Sequence, residues 1–597
     1  MASPIEDYAV LSDCHTAALV SRDGSIDWLC LPRYDSPSTF AALLGTEDHG
    51  RWMLRPRDPH ATSTRAYDGD GFVLRTRWQT PTGVAEVLDV MPYGDRRADV
   101  IRRIRGVSGT VEFHQEVRVR FDYARAMPWM RQAGTDDDPL LIAIAGPDAL
   151  VFRGAALRAV DHAHAGTVTV GAGDTVDLTM TWYPSHREIP DPVDVDAAFA
   201  TTNDWWAAWA GRIRHVGPHR DEVVRSLLVL RALTHEDTGG IVAAATTSLP
   251  EDFGGVRNWD YRYVWLRDAS LTLEALLEHG FTGEAAMWRR WLLRAIAGDP
   301  ADVQIMYGLA GERDLEERVL PNLPGYDGAA PVRIGNGAVT QYQADVMGEV
   351  MLALEAARNA GVDEGAYSWP LQRALLGYVE ENMDRPDNGI WEMRGDPRMF
   401  TYSRVMIWAA FDRGARAVRE HGLDGPADRW EELRERMRAE IDEHGYDAER
   451  GHFVQAYGSP EVDAALLMLP QVGYCAADDA RMLGTVAEIE KRLMRDGLLR
   501  RYRTQSDVDG LPGDEHPFLA CSFWLVEQYA ASGRLADAEA LMDRLCGLAN
   551  DVGLLSEEYD VTLQRHAGNT PQALSHLALV RAADALAGAQ PPRGHRR

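Results

Sequence analysis

A chain of 597 residues, 45% hydrophobic and 26% charged, is long enough to bury a sizeable core and too mixed in composition for a disordered, collagenous or disulfide-scaffold protein. Its 62 Lys and Arg stand against 91 Asp and Glu, a formal charge of -29, which repels phosphate backbones and anionic bilayers and argues against nucleic acid and membranes as partners. The single lysine, Lys491, sits in Glu488-Ile489-Glu490-Lys491-Arg492-Leu493 with no glycines around it. That excludes a phosphate-binding GxxxxGK loop and leaves almost no room for Schiff-base chemistry.

The N-terminus, Met1 to Val10, has neither a basic segment nor an apolar core of the signal-peptide kind, and no apolar run approaches 18 residues. Cys14, Cys30, Cys475, Cys521 and Cys546 are odd in number and lack CxxC spacing. They read as reduced thiols, so the expected location is the cytoplasm.

From about residue 5 to 190, short runs rich in Val, Ile, Thr and aromatics alternate with turn signals such as Ser21-Arg22-Asp23-Gly24-Ser25, Asp68-Gly69-Asp70-Gly71 and Gly171-Ala172-Gly173-Asp174. The period-two pattern of Val111 to Phe121 marks half-buried antiparallel strands, and a β-sandwich is the expected architecture. His162 and His164 are spaced for one face of a strand; with no third ligand nearby in sequence they read as solvated edge residues. Near Pro190 the pattern changes. Asp194 and Asp196 lead into an aromatic helix, Thr202 to Trp209, read as a connector packed between two domains.

Beyond residue 219 the period is helical, with segments over Val223 to Thr234, Ser270 to His279, Ala285 to Ala297, Tyr342 to Arg358, Leu371 to Met383, 400–420, 427–444, 462–469, 478–494, 517–531, 534–548 and 571–587. Twelve helices joined by alternately short and long loops, with no fixed repeat, predict an (α/α)6 barrel rather than a solenoid. The expected fold is thus an α+β multidomain chain: an antiparallel β-sandwich over 1–195, a helical linker over 196–218 and an (α/α)6 barrel over 219–590.

No GxSxG elbow, dinucleotide fingerprint or EF-hand loop occurs; Gly335-Asn336-Gly337 lacks the third glycine. What remains is carboxylates embedded in aromatic, glycine-punctuated stretches: Asn258 to Asp268, Asp387 to Gly395, and Gly553 to Asp560. Each has a plain structural alternative. Tyr261, Tyr263 and Trp265 alternate as core strand residues do, Arg267-Asp268 could be a helix-start ion pair, Trp391-Glu392 a surface loop, and Glu557-Glu558 a helix N-terminus. Together they suit a sugar site, where rings cover the apolar faces of a pyranose, charged forks hold hydroxyls, and two carboxyls break the bond.

With those residues in place, the chain resembles glycoside hydrolase family 15, the family of glucoamylases, glucodextranases and actinobacterial trehalases. The resemblance rests on Asp23-Gly24-Ser25-Ile26-Asp27-Trp28-Leu29-Cys30-Leu31-Pro32-Arg33, Asp35-Ser36-Pro37-Ser38, Tyr263-x-Trp265-x-Arg267-Asp268, Gly389-Ile390-Trp391-Glu392-x-Arg394-Gly395, Phe518 to Leu525, Leu555 to Tyr559, and Asn569-Thr570-Pro571-Gln572-Ala573. It implies the same sandwich-plus-barrel fold. It also implies Glu392 as general acid, Glu557 as general base, Tyr261 at the nucleophilic water, and Trp265, Arg267, Asp268 and Trp391 around the non-reducing glucose. Fungal members carry an aspartate three residues before the acid and a glutamate just after it. Here Gly389 and Met393 stand at those places, so Arg394 or Arg333 is expected to make the missing hydroxyl contacts.

The implied mechanism is inversion, with Glu392 protonated by burial beside Trp391, Glu557 ionised, and the two carboxyls roughly 6.5–9.5 Å apart. No metal or organic cofactor is required. The expected substrate is an α-glucoside, with trehalose preferred and α-1,4 or α-1,6 glucosides next; a non-catalytic sugar-binding protein is the reading of a different class. Whether the chain forms a homo-oligomer is left open.

Overall fold

A computed structural model describes residues 2–588 apart from Asp95, Asp136, Asp137, Glu364 and Asp507; the last two residues of the expected barrel range, 589 and 590, lie outside the described residues. Antiparallel strands run from Tyr8–Ser12 to Thr175–Pro184. They form two sheets that share one long strand, Ala98–Arg118. Its first part pairs with Gly83–Val90 and Thr175–Pro184, its last part with Arg51–Pro56 and Ala163–Gly171. The change of sheet falls around Gly106-Val107-Ser108-Gly109, beside a register shift between Val84 and Ala85. Along the second part, Val111, Phe113 and Val117 are buried while Glu112 and His114 are more exposed, the period-two pattern of one face on the core. His162, however, is a turn residue at φ +60°, not part of the strand Ala163–Gly171 that holds His164, so the two histidines do not share a strand face.

The connector helix α1 (Val195–Ala210) is capped by Asp194, whose carboxylate accepts the Ala197 N–H at 3.1 Å. Trp206 packs edge-on against Phe72 of the sandwich with ring centroids 4.9 Å apart, and Trp209 stacks on Phe281 of the helical half at 4.1 Å.

After it come α2 (Arg220–Ala232), α3 (Leu266–Glu278), α4 (Thr282–Ala295), α5 (Asp345–Asn359), α6 (Gly365–Asn382), α7 (Thr401–His421), α8 (Ala427–His444), α9 (Ala480–Leu493), α10 (Leu519–Ala531), α11 (Leu535–Cys546) and α12 (Ala573–Leu586). The segment expected as a helix over 462–469 is a 3-10 turn, Ala464–Met468. In packing order α3, α5, α7, Ala464–Met468, α10 and α12 close an inner ring, with the remaining helices outside it. This is the (α/α)6 barrel. Burial explains the sorting: α5 is buried from Asp345 through Ala357, whereas α8 buries only Ala427, Trp430, Leu433, Met437 and Ile441.

Inner-to-outer connections are short, as at 279–281 and 532–534, while outer-to-inner connections are long, as at 296–344 and 494–518. The long loops therefore gather at one end, around the N-termini of the inner helices. The sandwich braces that end. Trp28 donates from Nε1 to Ala245 O at 2.9 Å, and the fully buried Arg262 pairs with Asp260 at 2.7 Å while donating to Ser36 O and to the Tyr123 hydroxyl, each at 2.9 Å. The N-terminal block noted in the sequence thus anchors the segment that carries Tyr261, Trp265, Arg267 and Asp268.

Candidate active site

A cavity opens among the long loops, lined by Tyr261, Trp265, Arg267, Asp268, Trp391, Glu392, Arg394 and Glu557 together with residues of two further loops, around Asn336 and around Arg501. Leu266 starts α3, so Arg267 and Asp268 occupy its first turn. The helix-start ion pair and the cavity lining are one and the same. Arg267 Nη2 donates to Asp268 Oδ2 at 2.9 Å and Nη1 to Ile390 O at 2.6 Å, which ties the fork to the turn before Glu392.

That turn is tight. Gly389 has φ +67°, and a Cβ there would lie 2.8 Å from the Phe400 ring; Glu392 itself is held at φ +59°, a conformation that costs a non-glycine residue of order 1 kcal/mol and survives only where the surroundings impose it. The result turns the Glu392 carboxylate toward Trp265, whose Nε1–H donates to Oε1 at 2.5 Å, with Arg267 at 3.8 Å. Next to it, Trp391 is fixed by a 3.1 Å bond from Nε1 to Asp463 and by the rings of Phe518 and Trp524. Met393 points the other way, into a small core with Phe400, Ala456, Tyr502 and Val508.

Glu557 does not start a helix. It precedes the short strand Glu558–Asp560, which pairs with Arg565–Ala567. The Tyr261 hydroxyl donates to Glu557 Oε1 at 2.5 Å and Gln572 Nε2 to the same oxygen at 3.4 Å, while Oε2 is buried without a protein partner. Tyr261 and Trp265, the donors to Glu557 and Glu392, meet edge to face with ring centroids 5.5 Å apart.

Behind Glu557 lies a buried charge cluster that sequence reasoning missed. Arg501 pairs with Glu251 at 3.0 Å, Glu515 at 2.8 Å and Glu558 at 3.5 Å, and Arg257 with Asp509 at 2.6 Å and Glu515 at 2.9 Å. Two guanidiniums thus stand among five carboxyls, those of Glu251, Asp509, Glu515, Glu558 and Glu557. Burial pushes Glu558 well above the usual carboxylate range, Glu251 is raised for the same reason, and Glu557 is pushed up to about 8 by burial and then by the Glu251 charge, against Arg501 and the Tyr261 hydroxyl. Glu392 is raised by burial and held back by Arg267 and the Trp265 N–H. The sequence expectation assigned a raised carboxyl to Glu392 alone; both are raised, because Glu557 shares its surroundings with other acids.

Arg394 lines the cavity, but its guanidinium is engaged by Glu317 at 2.7 Å and lies over the Trp259 ring, 4.1 Å from the centroid. Arg333 is not among the lining residues. It covers the Trp259 ring at 4.5 Å and donates to Val256 O and Asn258 O, which makes it a support for Trp259. Trp259, Asn336, Arg257, Arg501, Glu251 and Gln572 line the cavity without having been singled out; of these, Trp259, Asn336 and Gln572 fall in stretches whose composition was noted, and the others carry no local signal.

Residues 217–584 match the family Glycosyl hydrolases family 15. The chain belongs to this family. Residues 1–169 match the family Trehalase-like, N-terminal. Among similar proteins, the trehalase of Mycobacterium tuberculosis is 37% identical over 97% of this chain and 89% of its own length, and the trehalase of Thermoplasma volcanium 33% identical over 98% and 93%. The crystal structure of a bacterial glucoamylase complexed with acarbose shares the fold, with a TM-score of 0.75 at 12% identity over 98% of this chain and 94% of that one. The protein is therefore a glycoside hydrolase. Among the described residues, no helix is long and apolar enough to cross a membrane.

Proposed function

We propose that this family 15 hydrolase cleaves α,α-trehalose with inversion, releasing a single terminal glucose as its β-anomer. The observation that carries the reading is the unequal equipment of two carboxyls in one cavity. Glu392 faces a cation and an indole N–H, and Glu557 offers one oxygen to Tyr261 and keeps the other, Oε2, buried and free of any protein donor.

In this mechanism Glu392 gives its proton to the glycosidic oxygen as the bond to the anomeric carbon breaks. Glu557 Oε2 takes a proton from a water that attacks the opposite face, and Tyr261 holds the other oxygen so that Oε2 points at that water. Arg501 and the Tyr261 hydroxyl favour the ionised form of Glu557 against burial and the Glu251 charge. Trp265 and Trp391 cover the sugar ring, and the Arg267–Asp268 fork binds the hydroxyls at the non-reducing end, where a continuing chain would meet a buried ion pair. Cleavage is thus confined to terminal glucose. The trehalase relatives support trehalose as the substrate, and five cysteines free of disulfides support a cytoplasmic location.

The test is a panel of trehalose, maltose, isomaltose, isomaltotriose and soluble starch, with the first product followed by NMR. Trehalose is expected to be turned over fastest, with β-glucose appearing first. Preference for maltose or isomaltose moves the substrate to α-1,4 or α-1,6 glucosides, and α-glucose appearing first reverses the roles given to both carboxylates.

A further inference from the structure

Away from the active-site cavity, the helical ring brings its first and its last outer helix together at three side chains. His219 stands at the N-cap of α2 with φ +62°, Glu222 lies on the first turn of the same helix, and Cys546 ends α11. One ligand atom from each lies within 4.8 Å of the other two, and all three residues are half-buried. We propose that His219, Glu222 and Cys546 form a binding site for a zinc-type divalent transition metal that clips α2 to α11.

Three observations carry this. First, Cys546 Sγ and His219 Nδ1 are 3.7 Å apart. Bonds of about 2.3 Å to sulfur and about 2.0–2.1 Å to nitrogen, set at a tetrahedral angle, make an S–N edge of about 3.6 Å, so the observed separation matches that of two ligands on one ion. Second, the other ring nitrogen, Nε2, faces Asp543 at 3.5 Å. A histidine bound to metal through one nitrogen characteristically donates from the other to a carboxylate, which fixes its tautomer and orientation. Third, the acids Glu222 and Asp543 both act on the Cys546 sulfur, charges that a dication bound there would offset.

The donor set selects the metal. Thiolate and imidazole suit zinc, cobalt or copper and disfavour magnesium and calcium, which take oxygen ligands. Three protein ligands leave the fourth position to water. The residues bordering this place, among them Asp70, Asn550 and Val552, are separate from those lining the active-site cavity. The site therefore acts on the ring rather than on the sugar: it joins positions 219 and 546 in the folded chain, and an ion bound only by the folded state stabilises it by mass action.

The experiment titrates the full-length protein, stripped by chelator, with Co2+. One equivalent is expected to give tetrahedral visible bands and a thiolate-to-cobalt charge-transfer band that Zn2+ abolishes. C546S loses the charge-transfer band, while C475S, which removes the other half-buried thiol, keeps it. E222Q removes a ligand and lowers affinity, and D543N weakens binding by roughly 10–100-fold through the histidine. Zn2+ raises the Tm of the parent protein and not that of C546S. A parent protein without the charge-transfer band overturns the proposal, as does a band that survives in C546S or an affinity unchanged in E222Q.

Discussion

Gly568 is where the Glu557 carboxylate finds its room: at φ +74° it approaches so closely that a Cβ would lie 2.5 Å from Glu557 Oε2. Gly568→Ala should therefore fold yet lose most activity, by tenfold or more, with circular dichroism unchanged and kcat the parameter that falls; a near-normal kcat would mean that Oε2 is not the working oxygen. Glu392→Gln keeps the Trp265 contact but has no proton to give. Hydrolysis should drop by roughly 10²–10⁴-fold, measured as glucose release, with the melting temperature retained. The pH profile tests the cluster behind the site. On the proposed mechanism Glu557 works as an ionised base, so activity should rise as pH climbs through its pKa, which burial and Glu251 push up to about 8. Glu251→Gln deletes a negative neighbour, so the rising limb of kcat/KM should move to lower pH. A limb that stays in place would show that Glu251 carries no charge in the free enzyme.

At the scale of elements, the inner helices bear acids where an isolated amphipathic helix would carry apolar residues. On α5, Asp345 and Glu349 lie one turn apart and fully buried, pushed up to about 7 and about 8, in both cases first by burial. Glu349 accepts a hydrogen bond from the Tyr402 hydroxyl on α7. Because its folded-state pKa lies above the ordinary value of 4.5, the folded form holds a proton that the unfolded form releases. The stability this contributes is complete below the ordinary pKa and is lost as pH rises through the folded one. Glu349→Gln, which stays neutral, should shrink the fall in Tm between about pH 5 and about pH 8. An unchanged fall would place the titration elsewhere. The 3-10 turn Ala464–Met468 belongs to this scale too: its residues are fully buried in the ring, and Asp463 just before it holds the Trp391 indole.

Across the whole molecule the sandwich and the ring share one buried seam. Arg65 of the sandwich pairs with Asp551 at 2.8 Å, the Tyr34 hydroxyl donates to Ala232 O at 2.7 Å, and Asn550 donates to Glu6 O and Tyr8 O. On our reading, the division near residues 195 and 219 separates architectures rather than units of stability. The two halves should unfold in one transition, with far-ultraviolet dichroism and tryptophan fluorescence coinciding in denaturant. Trp206→Ala on the connector should lower stability by about 3–5 kcal/mol, the range for large aromatic truncations in a core. Two separated transitions in the parent protein would refute the single seam.

Much of this was legible in the residues alone. The switch from a two-residue to a 3.6-residue apolar period marked the change from sandwich to ring, because periodicity is local and follows from which backbone faces a core. The blocks around Arg267, Glu392 and Glu557 also showed themselves, since each packs its aromatic, glycine and carboxylate residues into about ten consecutive positions. The 3-10 turn was read as a full helix because Ala464-Ala465-Leu466-Leu467-Met468 is apolar throughout and gives no period to distinguish the two. Only the tertiary structure decided which charges meet. Glu251, Arg257, Arg501 and Glu558 come from loops more than 300 residues apart at the extremes, Glu251 to Glu558, so nothing in any one stretch announces that Glu557 shares its surroundings with them. The same holds for Arg333, placed behind Trp259 rather than in the cavity, and for His219 opposite Cys546. Ring closure sets those distances, and electrostatic interaction depends on distance and burial in the closed ring, neither of which is a property of neighbours along the chain.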